Sequence, residues 1–294
     1  MISGLKKFKI SIIVLSICAG FFACKKSEQV IVPGNTAPPD HTISNSVKEN
    51  YVNKVYISVL GREPDSLERL NGKVILDKNN LSLDNRKQFL DTVLNNPEYY
   101  DRIYSIARID LLNDLDTAEI TQEKAIFTFL LTNTTYQYAW PQLIVEIKRM
   151  DTLQKAAIDL RSGVMNPIEL HRCCVNNYFY DQLNMGTENF VVSMFQHFLF
   201  RYPTTSELSQ CKAMVDGLSS TAFLKTGRTK YEFLEIFFGS NDYFEGQVRD
   251  LYVRYLFRQP TSEESSLHAT NYKTTLNYKN LQKDILSLDE YVGL

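Results

Sequence analysis

One motif returns three times along the chain and restricts the fold more than any other feature. Tyr56-x3-Leu60-Gly61-Arg62-Glu63-Pro64-Asp65-x2-Glu68 aligns without gaps with two later segments. These are Phe195-x3-Leu199-Phe200-Arg201-Tyr202-Pro203-Thr204-x2-Glu207 and Tyr252-x3-Leu256-Phe257-Arg258-Gln259-Pro260-Thr261-x2-Glu264. An aromatic and a leucine four residues apart share one face of a helix. The proline then forbids its continuation. Asp65, Thr204 and Thr261 are N-cap residues, and Glu68, Glu207 and Glu264 stand three places later to complete a capping box. Each copy therefore encodes two helices joined at an Arg-x-Pro corner.

A second shared element follows. Phe89-Leu90-x4-Asn95-Asn96-Pro97-Glu98-Tyr99-Tyr100 matches Phe233-Leu234-x4-Gly239-Ser240-Asn241-Asp242-Tyr243-Phe244, with a weaker copy over 281–292 that carries Glu290-Tyr291. Each unit reads as helix, corner, helix, then a third helix closing on an acid-Tyr pair. Units fall near 48–100, 188–244 and 247–294, and 101–187 is a divergent helical segment. Apolar residues recur at helical spacing throughout, as in Val52, Val55, Tyr56, Val59 and Leu60. Asn-Gly and Asp-Gly hairpin signals are scarce, with one pair of each at Asn71-Gly72 and Asp216-Gly217. Pro141 starts or kinks a helix after Trp140. The expected body, 48–294, is an all-α irregular orthogonal bundle of about three related units.

The Leu60-Gly61-Arg62-Glu63-Pro64-Asp65 segment and the Phe89-to-Tyr100 segment resemble an uncharacterised helical domain of exported bacterial proteins. That domain is often encoded beside cytochrome-c-like modules. The arrangement is also similar to phycobilisome-linker-like repeats. The better match covers about 51–113, and Phe200 and Phe257 stand where the pattern has glycine, which puts the tight helix end in doubt there. The resemblance implies an all-α fold and a scaffold or binding role, with no established catalytic residue set.

The N-terminus supplies an address. Lys6, Lys7 and Lys9 precede an apolar run from Ile10 to Ala23 that is too short to span a bilayer. Ala23-Cys24 is then the junction a lipoprotein signal peptidase cleaves. Residues 1–23 are read as a lipoprotein signal peptide and Cys24 as the lipid-bearing residue. An ordinary secretory signal is disfavoured by Phe21 at −3, and an uncleaved anchor by the shortness of the run. The stretch 24–47 holds Pro33, Gly34, Pro38 and Pro39 and reads as a flexible tether. Lys25 and Lys26, in place of an inner-membrane retention aspartate, point to the outer membrane, facing the periplasm or the surface.

Without those three lysines the 32 basic residues fall to 29, against 34 acidic ones. This balance excludes a nucleic-acid footprint. After Cys24, only Cys173, Cys174 and Cys211 follow the tether. Cys173, Cys174 and Cys211 read chiefly as buried thiols, with one disulfide from Cys174 or Cys173 to Cys211 the alternative. His171-Arg172-Cys173-Cys174 has no second pair at ligand spacing, so no metal is expected. Apart from the lipid on Cys24 no cofactor is expected, and no haem-attachment motif occurs. The oxygen-rich run Asp110, Asn113, Asp114, Asp116 and Glu119 lacks a calcium-loop glycine and reads as a solvated helix junction. His197 lies among Phe195, Phe198 and Leu199 and reads as a core or boundary histidine. Arg62, Arg201 and Arg258 read as anchors that pair with Glu68, Glu207, Glu264 or an acid-Tyr corner.

No catalytic motif is found. The expectation is a lipid-anchored envelope protein with a structural or protein-binding role, its tyrosines exposed at unit junctions for a partner in the envelope. The alternative is an envelope enzyme, or an accessory subunit of a redox or polymer-processing complex, with a site in 101–187.

Overall fold

The computed structural model describes residues 42–294. The signal peptide, Cys24 and the tether up to residue 41 lie outside the described residues. Helix begins earlier than expected: Ser44 caps α1 (Asn45–Leu60) by accepting from the Val47 N–H. The last residues assigned to the tether thus belong to the folded body, which forms one compact unit from Ile43 to Leu294.

The first unit continues with α2 (Ser66–Asp77), α3 (Leu83–Leu94) and α4 (Glu98–Leu112). The divergent segment contributes α5 (Thr117–Leu130), a 3-10 turn (Thr134–Ala139), α6 (Trp140–Ser162), α7 (Pro167–Val175) and α8 (Tyr178–Leu183). Pro141 sits in the first turn of α6, where its missing N–H costs nothing. Then come α9 (Thr187–Leu199), α10 (Thr205–Val215), β1 (Ser220–Ala222), β2 (Lys225–Gly227) and α11 (Lys230–Phe238). The chain closes with α12 (Asn241–Leu256), α13 (Ser262–Thr275), α14 (Tyr278–Leu286) and α15 (Asp289–Val292). The fold is all-α apart from one antiparallel hairpin. Among the described residues no helix is long and apolar enough to cross a membrane.

Three expectations need correction. The second and third units do not abut; they share α12. Its first turn carries the Asp242-Tyr243 pair that ends one unit, and its last turns carry the Tyr252 motif that begins the next. The hairpin was not foreseen, because its two-residue turn is Phe223-Leu224. Both residues have positive φ, 49° and 63°, as a type I′ turn demands and as Asn-Gly ordinarily supplies. The tyrosines, finally, are mostly core residues. Tyr51, Tyr99, Tyr180, Tyr243, Tyr252, Tyr272 and Tyr291 are all fully buried.

A buried phenol usually finds a partner for its hydroxyl. Tyr51 donates to the Leu286 carbonyl (3.1 Å), Tyr99 to Gln282 Oε1 (2.6 Å), and Tyr291 pairs with Ser58 (2.8 Å). Two of these bonds stitch the last residues of the chain onto α1. Arg86 on α3 adds to the closure, donating to the Ser287 carbonyl at 2.6 Å and pairing with Asp289 at 2.7 Å. The ends of the body are thus interlocked.

Two glycines are dictated by geometry. Gly61 ends α1 with φ +76°, and a Cβ there would lie 3.0 Å from Arg102 Nε. Gly246, inside α12, passes so close to α9 that a Cβ would fall 1.8 Å from the Phe198 carbonyl oxygen.

Candidate functional site

The repeated motif builds the same three-point clasp in each copy. Arg62 Nη1 and Nη2 grip both carboxylate oxygens of Glu68 at 2.7 and 2.8 Å, while Nε and Nη2 reach Glu98 at 2.6 and 2.9 Å. Arg201 holds Glu207 at 2.8 and 2.7 Å and Asp242 at 3.1 Å. Arg258 holds Glu264 at 2.8 and 2.7 Å and Glu290 at 2.9 Å. The three glutamates also accept from the Asp65, Thr204 and Thr261 N–H groups, completing the capping boxes. Pro64, Pro203 and Pro260 sit just before those caps and turn the chain. The motif aromatic supports the arginine from below, since Tyr56, Phe195 and Tyr252 lie under the guanidinium at 5.6, 5.0 and 5.0 Å. Each clasp therefore ties the end of one helix, the start of the next, and the acid-Tyr turn of a third. Arg201 and Arg258 hold the Glu207 and Glu264 carboxyls down at about 2.

Phe200 and Phe257 do not abolish the tight helix ends. Both adopt the left-handed conformation of Gly61, with φ 55° and 57°. The strain falls on residues whose rings stay 44% and 88% exposed. No disulfide forms between Cys174 and Cys211: all three thiols among the described residues are free. Cys174 and Cys211 are buried in different packed helices, α7 and α10, and burial raises both thiol pKa values, that of Cys211 to about 12. They act as small core residues. Among the described residues no group of three or more His, Cys, Asp or Glu side chains is placed to hold a metal. The acidic run is a junction between α4 and α5, with Asn113 and Asp114 left-handed and Asp116 capping α5.

Asp110 leaves that junction for a different place. It lines a half-open cleft of about 330 Å³ where α4, α7, α9, α12 and α14 meet. That volume is of ligand-pocket size. At its centre Arg254 Nη2 donates to Asp110 Oδ2 and to Asp250 Oδ1, both at 3.1 Å. Burial pushes the Asp250 carboxyl up, against the pull of Arg254. Burial would lower the Arg254 pKa, but Asp250 and Asp110 overcome it and keep the guanidinium charged.

Two histidines stand on opposite walls. His171 on α7 uses Nδ1 to meet the Tyr243 hydroxyl at 2.8 Å, and His197 on α9 meets the Tyr180 hydroxyl at 3.0 Å. Burial, reinforced by Arg254, lowers the His171 pKa to about 4, so the ring is neutral near pH 7. Burial also lowers that of His197, opposed by Asp110. Gln196 marks the exposed rim, and buried Gln247 and Gln282 add amides. None of the lining residues is a serine, threonine, cysteine or lysine. The cleft offers amide, phenol and imidazole groups around an ion triad of one guanidinium and two carboxyls.

Less than half of this wall comes from 101–187; the rest belongs to the second and third units. Asp110 and His171 were visible in the sequence within local patterns, and His197 read as a core residue. Asp250 and Arg254 carried no signal. The clue to them was a carboxylate and an arginine four residues apart, in a helix that carries further charges at Asp242, Glu245 and Arg249. No family model, curated protein or solved structure matches the chain.

Proposed function

We propose that the chain is a lipid-anchored protein of the cell envelope, held in the outer membrane through Cys24. Its role is to bind rather than to catalyse. The body is a scaffold stiffened by three clasps. The cleft is its recognition site, taking a small, polar, net-neutral ligand or a short segment of an envelope partner. The observation that carries this reading is the cleft itself. Polar groups from five helices converge there, none of them a serine, threonine, cysteine or lysine, and its arginine is already paired. Pairing of this kind favours uncharged hydrogen-bonding ligands over strongly charged ones, which would have to break the Arg254 triad.

The test is affinity capture from solubilised envelopes followed by native mass spectrometry, comparing wild type with Gln196→Trp, which fills the exposed rim. A stoichiometric ligand or partner is expected with wild type and is lost in the variant at unchanged melting temperature. Recovery of nothing with wild type would sink the binding reading. Anchoring is tested separately: Cys24→Ser should move the protein out of the membrane fraction, and unchanged fractionation would refute the lipid.

One observation favours a second reading. A buried carboxyl with a raised pKa beside a second carboxylate is an arrangement that acid-base enzymes use. In that case Asp250→Asn would abolish turnover of an envelope polymer, which a pure binding protein does not show.

A further inference from the structure

From Ala125 to Val145 not one residue is charged, although 22% of the chain is. The stretch folds as the end of α5, the 3-10 turn and the start of α6; Phe127 is buried against Tyr178, but most of its other apolar side chains face solvent or lie only half-buried. Phe129 is 67% and Tyr138 83% exposed, and Ile126, Tyr136, Ile144 and Val145 are exposed too. α5 packs chiefly on α6, which runs on to meet α4 and α7 in the body. Among the described residues, nothing covers the exposed aromatic side chains at this uncharged end of a helical hairpin.

Several polar groups of this tip are satisfied from within. Thr128 donates to the Lys124 carbonyl (2.8 Å) and Thr132 to the Phe129 carbonyl (2.7 Å). Asn133 accepts from the Thr135 N–H (3.0 Å), and the Trp140 indole N–H donates to the Leu130 carbonyl (3.3 Å). Internal pairing of this kind is what a polypeptide needs where water is scarce. Tyr136, Tyr138 and Trp140 are the residue types that settle at the headgroup boundary, with an apolar body and a polar edge. A protein interface would more commonly offer arginine and a charged rim, and the tip has neither.

We propose that the tip formed by α5, the 3-10 turn and α6 inserts into the interfacial region of a lipid bilayer. It would seat the body against the membrane to which the lipid tethers it. The proposal takes from the anchoring reading only the source of the bilayer. Twenty residues separate Cys24 from Ser44, so the extended tether reaches at most roughly 70 Å. A body on that leash meets the surface continually, and a weakly inserting tip suffices to orient it.

Trp140 is the only tryptophan in the chain, so its fluorescence reports on the tip alone. The experiment uses the chain from residue 24 with Cys24→Ser, hence without lipid, and vesicles of phosphatidylethanolamine and phosphatidylglycerol. Wild type should float with the vesicles, and its emission should shift to the blue and be quenched by acyl-brominated lipid. This binding should persist at high salt, because no charge drives it. Phe129→Asp with Tyr138→Asp should weaken partitioning roughly tenfold or more, since two aromatic transfers are lost. Both sites are exposed, so the melting temperature should hold.

No flotation of wild type would overturn the proposal, as would binding abolished by salt. So would a wild-type dimer that Phe129→Asp makes monomeric, which would identify the tip as a self-association surface. Failure of the lipid anchor shows up instead in cell fractionation of the Cys24→Ser variant and leaves the vesicle result standing.

Discussion

Replacing Phe257 by glycine should stabilise the protein, although it deletes a large side chain. Phe257 closes α12 at φ 57°, ψ 27°, close to the Gly61 values of 76° and 14° at the end of α1. An L-residue held left-handed costs about 1–2 kcal/mol, and glycine returns about 0.5–1 kcal/mol of that through greater freedom in the unfolded chain. The ring is 88% exposed, so the burial lost is about 0.3 kcal/mol on a full phenyl value of about 1.5–3 kcal/mol. The balance favours Phe257→Gly by about 0.5 kcal/mol, or about 1–2 °C in melting temperature for a body of this size. Phe200→Gly, which removes a ring only 44% exposed, should come out neutral or slightly destabilising. Gly61→Ala should destabilise by about 1–2 kcal/mol, because it adds backbone strain and presses on Arg102. Calorimetry of the three variants at one pH gives the order Phe257→Gly, Phe200→Gly, Gly61→Ala from most to least stable. If Phe257→Gly melts below wild type, or no higher than Phe200→Gly, backbone strain does not govern this helix end.

Gly246→Ala should be far more damaging, by more than about 3 kcal/mol, because its methyl meets backbone rather than a movable side chain. Soluble yield and melting temperature would show it. Arg201→Ala should cost about 2 kcal/mol, from two partly exposed ion pairs and the contact over Phe195, lowering melting by about 4–8 °C. The clasps also set an acid limit. With Glu207 and Glu264 held down at about 2, their contribution is complete above the ordinary glutamate value near 4.5. It is lost as pH falls from there toward 2, and Arg201→Ala should blunt that loss. Because the three thiols of the body are free, dithiothreitol should leave the melting temperature unchanged; a drop would reveal a disulfide.

What the sequence made legible was local. The clasp could be read because the aromatic, the Arg, the Pro, the cap and the Glu lie within one helix end and the next helix start. Spacing alone fixes their geometry. Its third point was only half visible, since Arg62 meets Glu98 across 36 residues. The cleft was hidden for the same reason on a larger scale: Asp110 and Arg254 are 144 residues apart. The tyrosines misled because their type suits both surface and core. What buries Tyr99 is a hydrogen bond to Gln282, 183 residues away. The hairpin escaped because Phe223 and Leu224 take a turn that their side chains disfavour. The uncharged run 125–145 was plain in the sequence, but which of its residues face solvent was not.

The interlock of the last residues with α1 and α3 bears on when this chain can fold. Arg86 has its partners at Ser287 and Asp289, and Tyr51 and Ser58 have theirs at Leu286 and Tyr291. A nascent chain still short of its final residues holds a buried arginine and a phenol with nothing to pair with. The contacts that close the amino-terminal unit should therefore form only after residues 286–291 have been made. If the chain crosses a membrane unfolded, as the proposed envelope location requires, that delay would keep it passable until residues 286–291 have emerged.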